Sequence, residues 1–425
     1  MIRDSTASEP YDVVVIGGGP AGAALATFLR QDGHRCLVVE REEFPRYHIG
    51  ESLIPSTYSA LDRLGLLPRL KASAFPPKYS VRFVAPSGEE SDPFYFSETI
   101  EGDRARTWQV ERSTFDRMCL DNARDLGVEV QSATTVTEVL FDKERAVGVR
   151  ATRADGRIVD IAARVVADAS GHATVIGHQL GLRRPIPGLA KGSCWSYYKG
   201  GRRAPGIDGG ETTVFMLPGR RWFWYIPLPD DIVSVGIVAP PEYLFGGTAD
   251  LDAVFLREVE SCRPLSERVA RATRQAPVRR IPHLAYVNRQ TCGDGWTMVG
   301  DARLFLDPIY SSGLFLAFAS AELAAGCVHR ALEAGDVSAA RLGAFEPTMA
   351  AASEVFWRLV RAFYDETFSF RAFVERFPEQ RTALVDCLVG DVVGKDMTSF
   401  LSALALMTEP PPRLADPDAA PRRSA

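Results

Sequence analysis

Tyr11-Asp12-Val13-Val14-Val15-Ile16 runs directly into Gly17-Gly18-Gly19-Pro20-Ala21-Gly22. The apolar run Val13 to Ile16 is the pattern of a short parallel strand buried on both faces. Gly17 permits the tight turn that follows such a strand. Gly19 lets the backbone approach a pyrophosphate, and Gly22 lets the next helix pack closely on the sheet. That helix is predicted over residues 20–31, with Pro20 suited to its first turn and Gly33 just past its end. The dipole and free amides of its first turn, where Pro20 and Ala21 stand, favour phosphate charge. A second strand, Cys36 to Val39, ends in Glu40 and Arg41. An acid about 20 positions beyond the glycines is placed to grip ribose hydroxyls. Strand, glycine turn, helix and acid together predict a Rossmann-like dinucleotide-binding lobe.

The rest of the chain bounds what that lobe serves. A length of 425 residues supports a complex domain or two to three lobes. A net charge of −5 with no long basic run argues against a nucleic-acid surface. The seven cysteines are scattered without a Cys-x-x-Cys pair, as reduced core thiols are. Neither they nor the six histidines show metal-ligand spacing, so no metal is expected. No apolar leader opens the chain, and the apolar stretch near Leu314 to Cys327 is broken by Ser320 and Glu322. A membrane span needs about 20 largely apolar residues. The expectation is a cytoplasmic protein that does not cross a membrane. The tail 409–425 is poor in apolar residues and is expected to be disordered.

Three later blocks bring a family into view. They are Gln109-Val110-Glu111-Arg112-Ser113-Thr114-Phe115-Asp116, Val165-Val166-Ala167-Asp168-Ala169-Ser170-Gly171, and Met298-Val299-Gly300-Asp301-Ala302 with Asp307-Pro308. Their order and spacing resemble the hydroxylase-type flavoproteins, which implies FAD. In that resemblance Arg112 contacts the cofactor and Asp301 meets the ribityl chain, where a carboxylate can accept hydroxyl hydrogen bonds. Pro308 leads into a helix aimed at the isoalloxazine. No second glycine fingerprint follows a strand, so a dedicated NAD domain is not evident.

Trp222-Phe223-Trp224-Tyr225-Ile226-Pro227 narrows the resemblance to the flavin-dependent halogenases, over Tyr11 to about Leu404. The branch is the one acting on phenols and pyrroles, often tethered to a carrier protein. Its cofactor-side segment matches Tyr47-His48-Ile49-Gly50-Glu51-Ser52-Leu53-Ile54-Pro55, which assigns Gly50, Glu51 and Ser52 beside the flavin. Phe75-Pro76-Pro77-Lys78-Tyr79 matches the segment with the catalytic lysine, hence Lys78. Pro308-Ile309-Tyr310-Ser311-Ser312-Gly313 matches the halide turn, with Ser312 and Gly313 supplying backbone amides for chloride. Free-tryptophan halogenases carry a glutamate where Tyr310 stands, and the tyrosine argues against that substrate.

The resemblance implies reduced FAD reacting with oxygen to a C4a-hydroperoxide, attack by chloride, and hypochlorous acid travelling to Lys78. The lysine then directs chlorine onto an electron-rich aromatic ring in natural-product biosynthesis. The ring is a phenol, a pyrrole or an aromatic polyketide acid, free or on a carrier. Trp222, Trp224, Ile226 and Pro227 would wall the flavin from that ring. A separate flavin reductase would supply FADH2. From the residues alone blander readings stand. Alternating tryptophans are also how a strand buries a core. A lysine after two prolines is usually solvated, and Glu51 could be a helix-start charge. A flavin monooxygenase or dehydrogenase on the same fold, or a flavin binder without chemistry, are the competing functions.

The expected architecture is α/β. An FAD lobe (8–75, 105–180, 285–345) interleaves with a mainly antiparallel β substrate lobe (76–104, 181–284), followed by C-terminal helices (346–408). Helices are predicted over 314–332 and 339–363.

Overall fold

The structure, a computed structural model, describes residues 9–247 and 250–414. Its first sheet is built around the strand Tyr11–Ile16, whose last four side chains are buried. That strand lies parallel between Cys36–Val39 and Ile158–Asp168, with Val14 opposite both Leu37 and Val166. Glu129–Gln131 extends the sheet on one side and Trp296–Met298 on the other, both parallel. A parallel sheet needs cover on both faces, and this explains the unbroken apolar runs Val13 to Ile16 and Leu37 to Val39.

The helix Pro20–Gln31 covers one face, with Pro20 in its first turn. It packs on Ser312–Glu333 and Arg112–Asp125. Pro20–Gln31 and Ser312–Glu333 bring small residues to one core, Ala21 and Ala24 from the first and Ala317, Ala321 and Ala324 from the second. Gly300 sits against both helices, where an added Cβ would meet Ala21 at 2.8 Å and Ala317 at 3.6 Å. The Ser312–Glu333 helix is long and apolar enough to cross a membrane by length and composition, yet 56% of that window is buried inside the protein. It is a core helix.

The second sheet runs in the order Thr273–Arg274, Gly192–Lys199, Ile232–Ala239, Arg221–Pro227, Thr212–Leu217, Ser80–Val84, Phe94–Tyr95. All its neighbours are antiparallel except Thr212–Leu217 with Ser80–Val84. The hairpin joining Arg221–Pro227 to Ile232–Ala239 turns at Asp230 and Asp231, both at positive φ (57° and 60°), as a primed hairpin turn demands. Side chains alternate between two cores. Trp195, Trp222, Trp224 and Ile226 face the C-terminal helices. Cys194, Phe223, Tyr225 and Ile237 face Leu251–Ser261 and Arg263–Val269. The two-residue strand Pro77–Lys78 pairs with Thr107–Trp108 and ties the lobes together.

Two expectations are corrected. The helix predicted over 339–363 is two helices, Ala339–Leu342 and Glu346–Tyr364. The break falls at Gly343, held so tightly that an added Cβ would sit 2.3 Å from Cys292 Sγ. Pro347 then opens the second helix from its first turn. The tail expected to be disordered from 409 is docked where it begins. The Trp357 indole donates to Pro412 O at 2.9 Å and the Leu414 amide to Glu354. Residues 415–425 lie outside the described residues.

Candidate active site

The glycine turn has the geometry a pyrophosphate needs. Gly17 sits at φ +101°, and its amide donates to Val39 O at 2.8 Å. A Cβ on Gly22 would lie 2.0 Å from Gly17 O, so helix and strand touch there. Gly19, Pro20 and Ala21 open the helix beside Arg46, whose guanidinium would stand 3.1 Å from a Cβ on Gly19. Glu40 is buried at the end of its strand and accepts from the amides of Gly18 (2.6 Å) and Glu42 (2.9 Å). A carboxylate retains further acceptor sites for ribose. Arg41 is exposed and pairs with Glu42 at 3.3 Å. These residues fit a dinucleotide. They also include Arg46, which the motif reading passed over. It is nearly buried against Asp116 at 3.3 Å, and the only sequence signal was a lone arginine between two cofactor segments.

Arg112 is turned inward. It grips Asp116 through two bonds (2.7 and 3.0 Å) and donates to Ile49 O and Gly50 O. It therefore shapes the 47–50 loop, where Gly50 holds φ +100°. Burial pushes the Asp301 carboxyl up to about 6 against the pull of Arg112. Burial likewise lowers the imidazoles of His48 and His172, the latter to about 4.

Lys78 is fully buried. Its Nζ donates to Ser52 Oγ at 2.8 Å and Leu53 O at 3.0 Å and stands 5.4 Å from the Phe96 ring centre. No carboxylate pairs with it among the described residues, and burial lowers its pKa from 10.5 to about 7. Desolvation without a counter-charge has this effect on an amine. The solvated-loop reading is thus overturned. Ser52 Oγ lies 3.0 Å from Thr212 Oγ1, which also accepts from Gln109. Glu51 is buried next door, not at a helix start. Its Oε1 accepts from Tyr197 at 2.8 Å, and burial raises it to about 7. Tyr197 in turn meets Tyr47, which receives the Trp195 indole N–H.

Trp222, Trp224 and Ile226 share one face of their strand and one core. The Trp222 indole donates to Tyr364 Oη (2.9 Å) and the Trp224 indole to Ser234 Oγ (3.0 Å). Pro227, placed in the same wall by its motif, is one residue on and falls on the other side of the pleat.

Asp307 caps the turn Pro308–Tyr310 by accepting from the Ile309 amide at 3.0 Å. Ser311 takes φ +52°, and the long helix starts at Ser312. The amides of Ser312 and Gly313 are therefore among those a helix leaves without internal partners. Tyr310 is buried and donates to Leu359 O at 3.2 Å. No cluster of metal-ligating side chains occurs among the described residues.

A dinucleotide cradle in a parallel-sheet lobe, set against an antiparallel sheet with a buried lysine between them, defines a two-lobe FAD-dependent oxidoreductase. Known proteins bear this out. The family described as FAD binding domain matches residues 10–193, and the family described as Tryptophan halogenase matches residues 203–372. The chain is 31% identical to the 1H-pyrrole-2-carbonyl-[peptidyl-carrier protein] chlorinase of Pseudomonas fluorescens, over 90% of this chain and 89% of that protein. It is 32% identical to a tryptophan 2-halogenase of Chondromyces crocatus, over 83% and 67%. The structure of the flavin-dependent brominase Bmp2 superposes with a TM-score of 0.84 at 29% identity, over 93% and 97%. This chain belongs to the flavin-dependent halogenases.

Proposed function

We propose that the enzyme halogenates an electron-rich aromatic ring presented on a carrier protein, that chloride is its halide, and that Lys78 is its catalytic residue. The observation that carries this reading is the burial of Lys78 without a counter-charge, beside the Ser52 segment. Bound reduced FAD supplies the oxygen chemistry that oxidises halide to hypohalous acid. Gly17 to Gly22 hold the pyrophosphate, with Arg46 adding charge. Glu40 binds the ribose, and Asp301 the ribityl hydroxyls. The amides of Ser312 and Gly313 hold the halide. Trp222, Trp224 and Ile226 fill the space between the lobes, excluding water and keeping the ring from direct hydroxylation.

An amine with a pKa near 7 has two uses here. Protonated, it donates a hydrogen bond to hypochlorous acid. Neutral, its nitrogen takes Cl from HOCl, and hydroxide leaves with the amine proton as water. The arene then takes the chlorine and returns its displaced proton to the amine. Carrier tethering is supported by the pyrrole-carrier chlorinase, and a pyrrole fits the same chemistry. A separate reductase supplying reduced flavin completes the cycle. Free indole is the second reading, favoured by the likeness to a tryptophan 2-halogenase.

The test is Lys78→Ala with pyrrolyl-carrier, phenolic and tryptophan substrates. Expected is loss of halogenated product with FAD content and oxygen consumption retained. Full halogenation by the variant would sink the lysine assignment. Product from tryptophan alone in the wild type would replace the carrier reading.

A further inference from the structure

The tryptophan motif and the halide turn lie about 85 positions apart in sequence, yet one side chain bridges them. Tyr364 ends the helix Glu346–Tyr364 and is half-buried there. Its hydroxyl accepts the Trp222 indole N–H at 2.9 Å and donates to Asp307 Oδ2, also at 2.9 Å. The other Asp307 oxygen accepts the Ile309 amide at 3.0 Å. One carboxylate thus fixes the 308–310 turn on one side and is itself fixed on the other. Lys191 Nζ lies 3.9 Å from the centre of the Tyr364 ring, and Phe363 packs edge-on at 5.1 Å. The hydroxyl is therefore engaged on each side, and a displacement of Asp307 would cost the carboxylate its bonds to Tyr364 and to the Ile309 amide.

We propose that Tyr364 is a positioning residue for halide binding. Its hydroxyl, oriented by the Trp222 indole, locks the Asp307 carboxylate and so sets the turn that aims the amides of Ser312 and Gly313. The first tryptophan of the motif then has a task beyond filling space. It is the donor that leaves the Tyr364 proton no choice but Asp307, because a hydroxyl has one proton to give and the indole can only donate. This rests on the assignment of the halide to Ser312 and Gly313.

The experiment uses full-length, FAD-loaded enzyme, reduced and mixed with oxygen over a series of chloride and bromide concentrations. Flavin reoxidation is followed by stopped flow. Tyr364→Phe keeps the ring and removes both bonds. Expected is a halide KM raised about tenfold, the weight of the one hydrogen bond, to Asp307, that reaches the turn. The rate at saturating halide and the FAD affinity should stay at wild-type values. A merely structural loss would lower the active fraction and leave the halide KM alone.

Gly313→Pro is run beside it. Proline is tolerated in a first helical turn and deletes the amide, and a Cβ at this position meets only Phe305 at 3.8 Å. A raised KM in Gly313→Pro with a normal KM in Tyr364→Phe overturns the proposal and leaves the halide site standing. Normal KM values in both overturn the halide site and the proposal with it. If Tyr364→Phe does not accumulate with FAD, Trp222→Phe, which deletes the orienting donor together with part of the indole's bulk, is judged on its halide KM alone. A raised halide KM supports the proposal, and an unchanged one overturns it.

Discussion

Replacing Lys78 with methionine should stabilise this enzyme at neutral pH while abolishing halogenation. In the folded protein the lysine sits at about 7 rather than 10.5, with burial as the cause. Converted at about 1.4 kcal/mol per tenfold change in proton affinity, carrying the charge inside costs about 5 kcal/mol at pH 7 and below. Methionine fills a similar volume without charge, but it forfeits the bonds to Ser52 and Leu53. These are worth about 1 kcal/mol each. The net gain is about 3 kcal/mol. The unfolding entropy expected for a chain of this length makes that about 3 °C in Tm.

The pH dependence gives the sharper test. The folded state releases its proton first, so wild-type stability rises as pH climbs from 7 towards 10.5. The advantage of Lys78→Met should shrink over that interval, vanish near about pH 9, and reverse above it. Thermal melts of both proteins, equally loaded with FAD, from pH 6 to 10 measure it. A difference in Tm that does not vary with pH, or a variant less stable at pH 6, would refute the reasoning that Lys78 is desolvated without a counter-charge.

Two further outcomes are expected. Glu51→Gln should be more stable than wild type at pH 8 by up to about 3 kcal/mol and no different at pH 4.5. Burial raises this carboxyl from 4.5 to about 7, so the folded protein loses stability as pH rises through that window, and a neutral amide does not. Equal Tm differences at both pH values would contradict it. Gly22→Ala should purify without flavin absorbance or not fold, because its Cβ meets Gly17 O at 2.0 Å, while Gly313→Ala should keep its FAD because only Phe305 stands at 3.8 Å. Flavin content after purification separates the two.

How much of this could be read from the sequence depends on the range of the forces. The boundaries Tyr11–Ile16, Pro20–Gln31 and Cys36–Val39 fall where the apolar runs, Pro20 and the glycines place them. The same holds for the Asp230-Asp231 turn. The break at Gly343 was missed because its cause, Cys292 against the backbone, is 51 positions away. Arg46 was missed because its partner Asp116 comes from a distant helix. The motif places Arg112 beside the cofactor, and its grip on Asp116, Ile49 and Gly50 shows only in three dimensions.

By itself the sequence determined the dinucleotide cradle, since this follows from local conformational preference and from the periodicity of apolar residues, while the two-lobe plan came through likeness to a family. It named Lys78 and Trp222 through likeness to a family. Only the tertiary structure decided what those side chains are. Lys78 is an amine rather than a solvated cation because Ser52, Leu53 and Phe96 close around it with no carboxylate paired to it among the described residues. Trp222 is a hydrogen-bond donor as well as a wall because Tyr364, 142 positions later, brings it an acceptor. Proton affinity and hydrogen-bond partnership depend on what surrounds a group in space, and residues distant along the chain supply those surroundings only after folding.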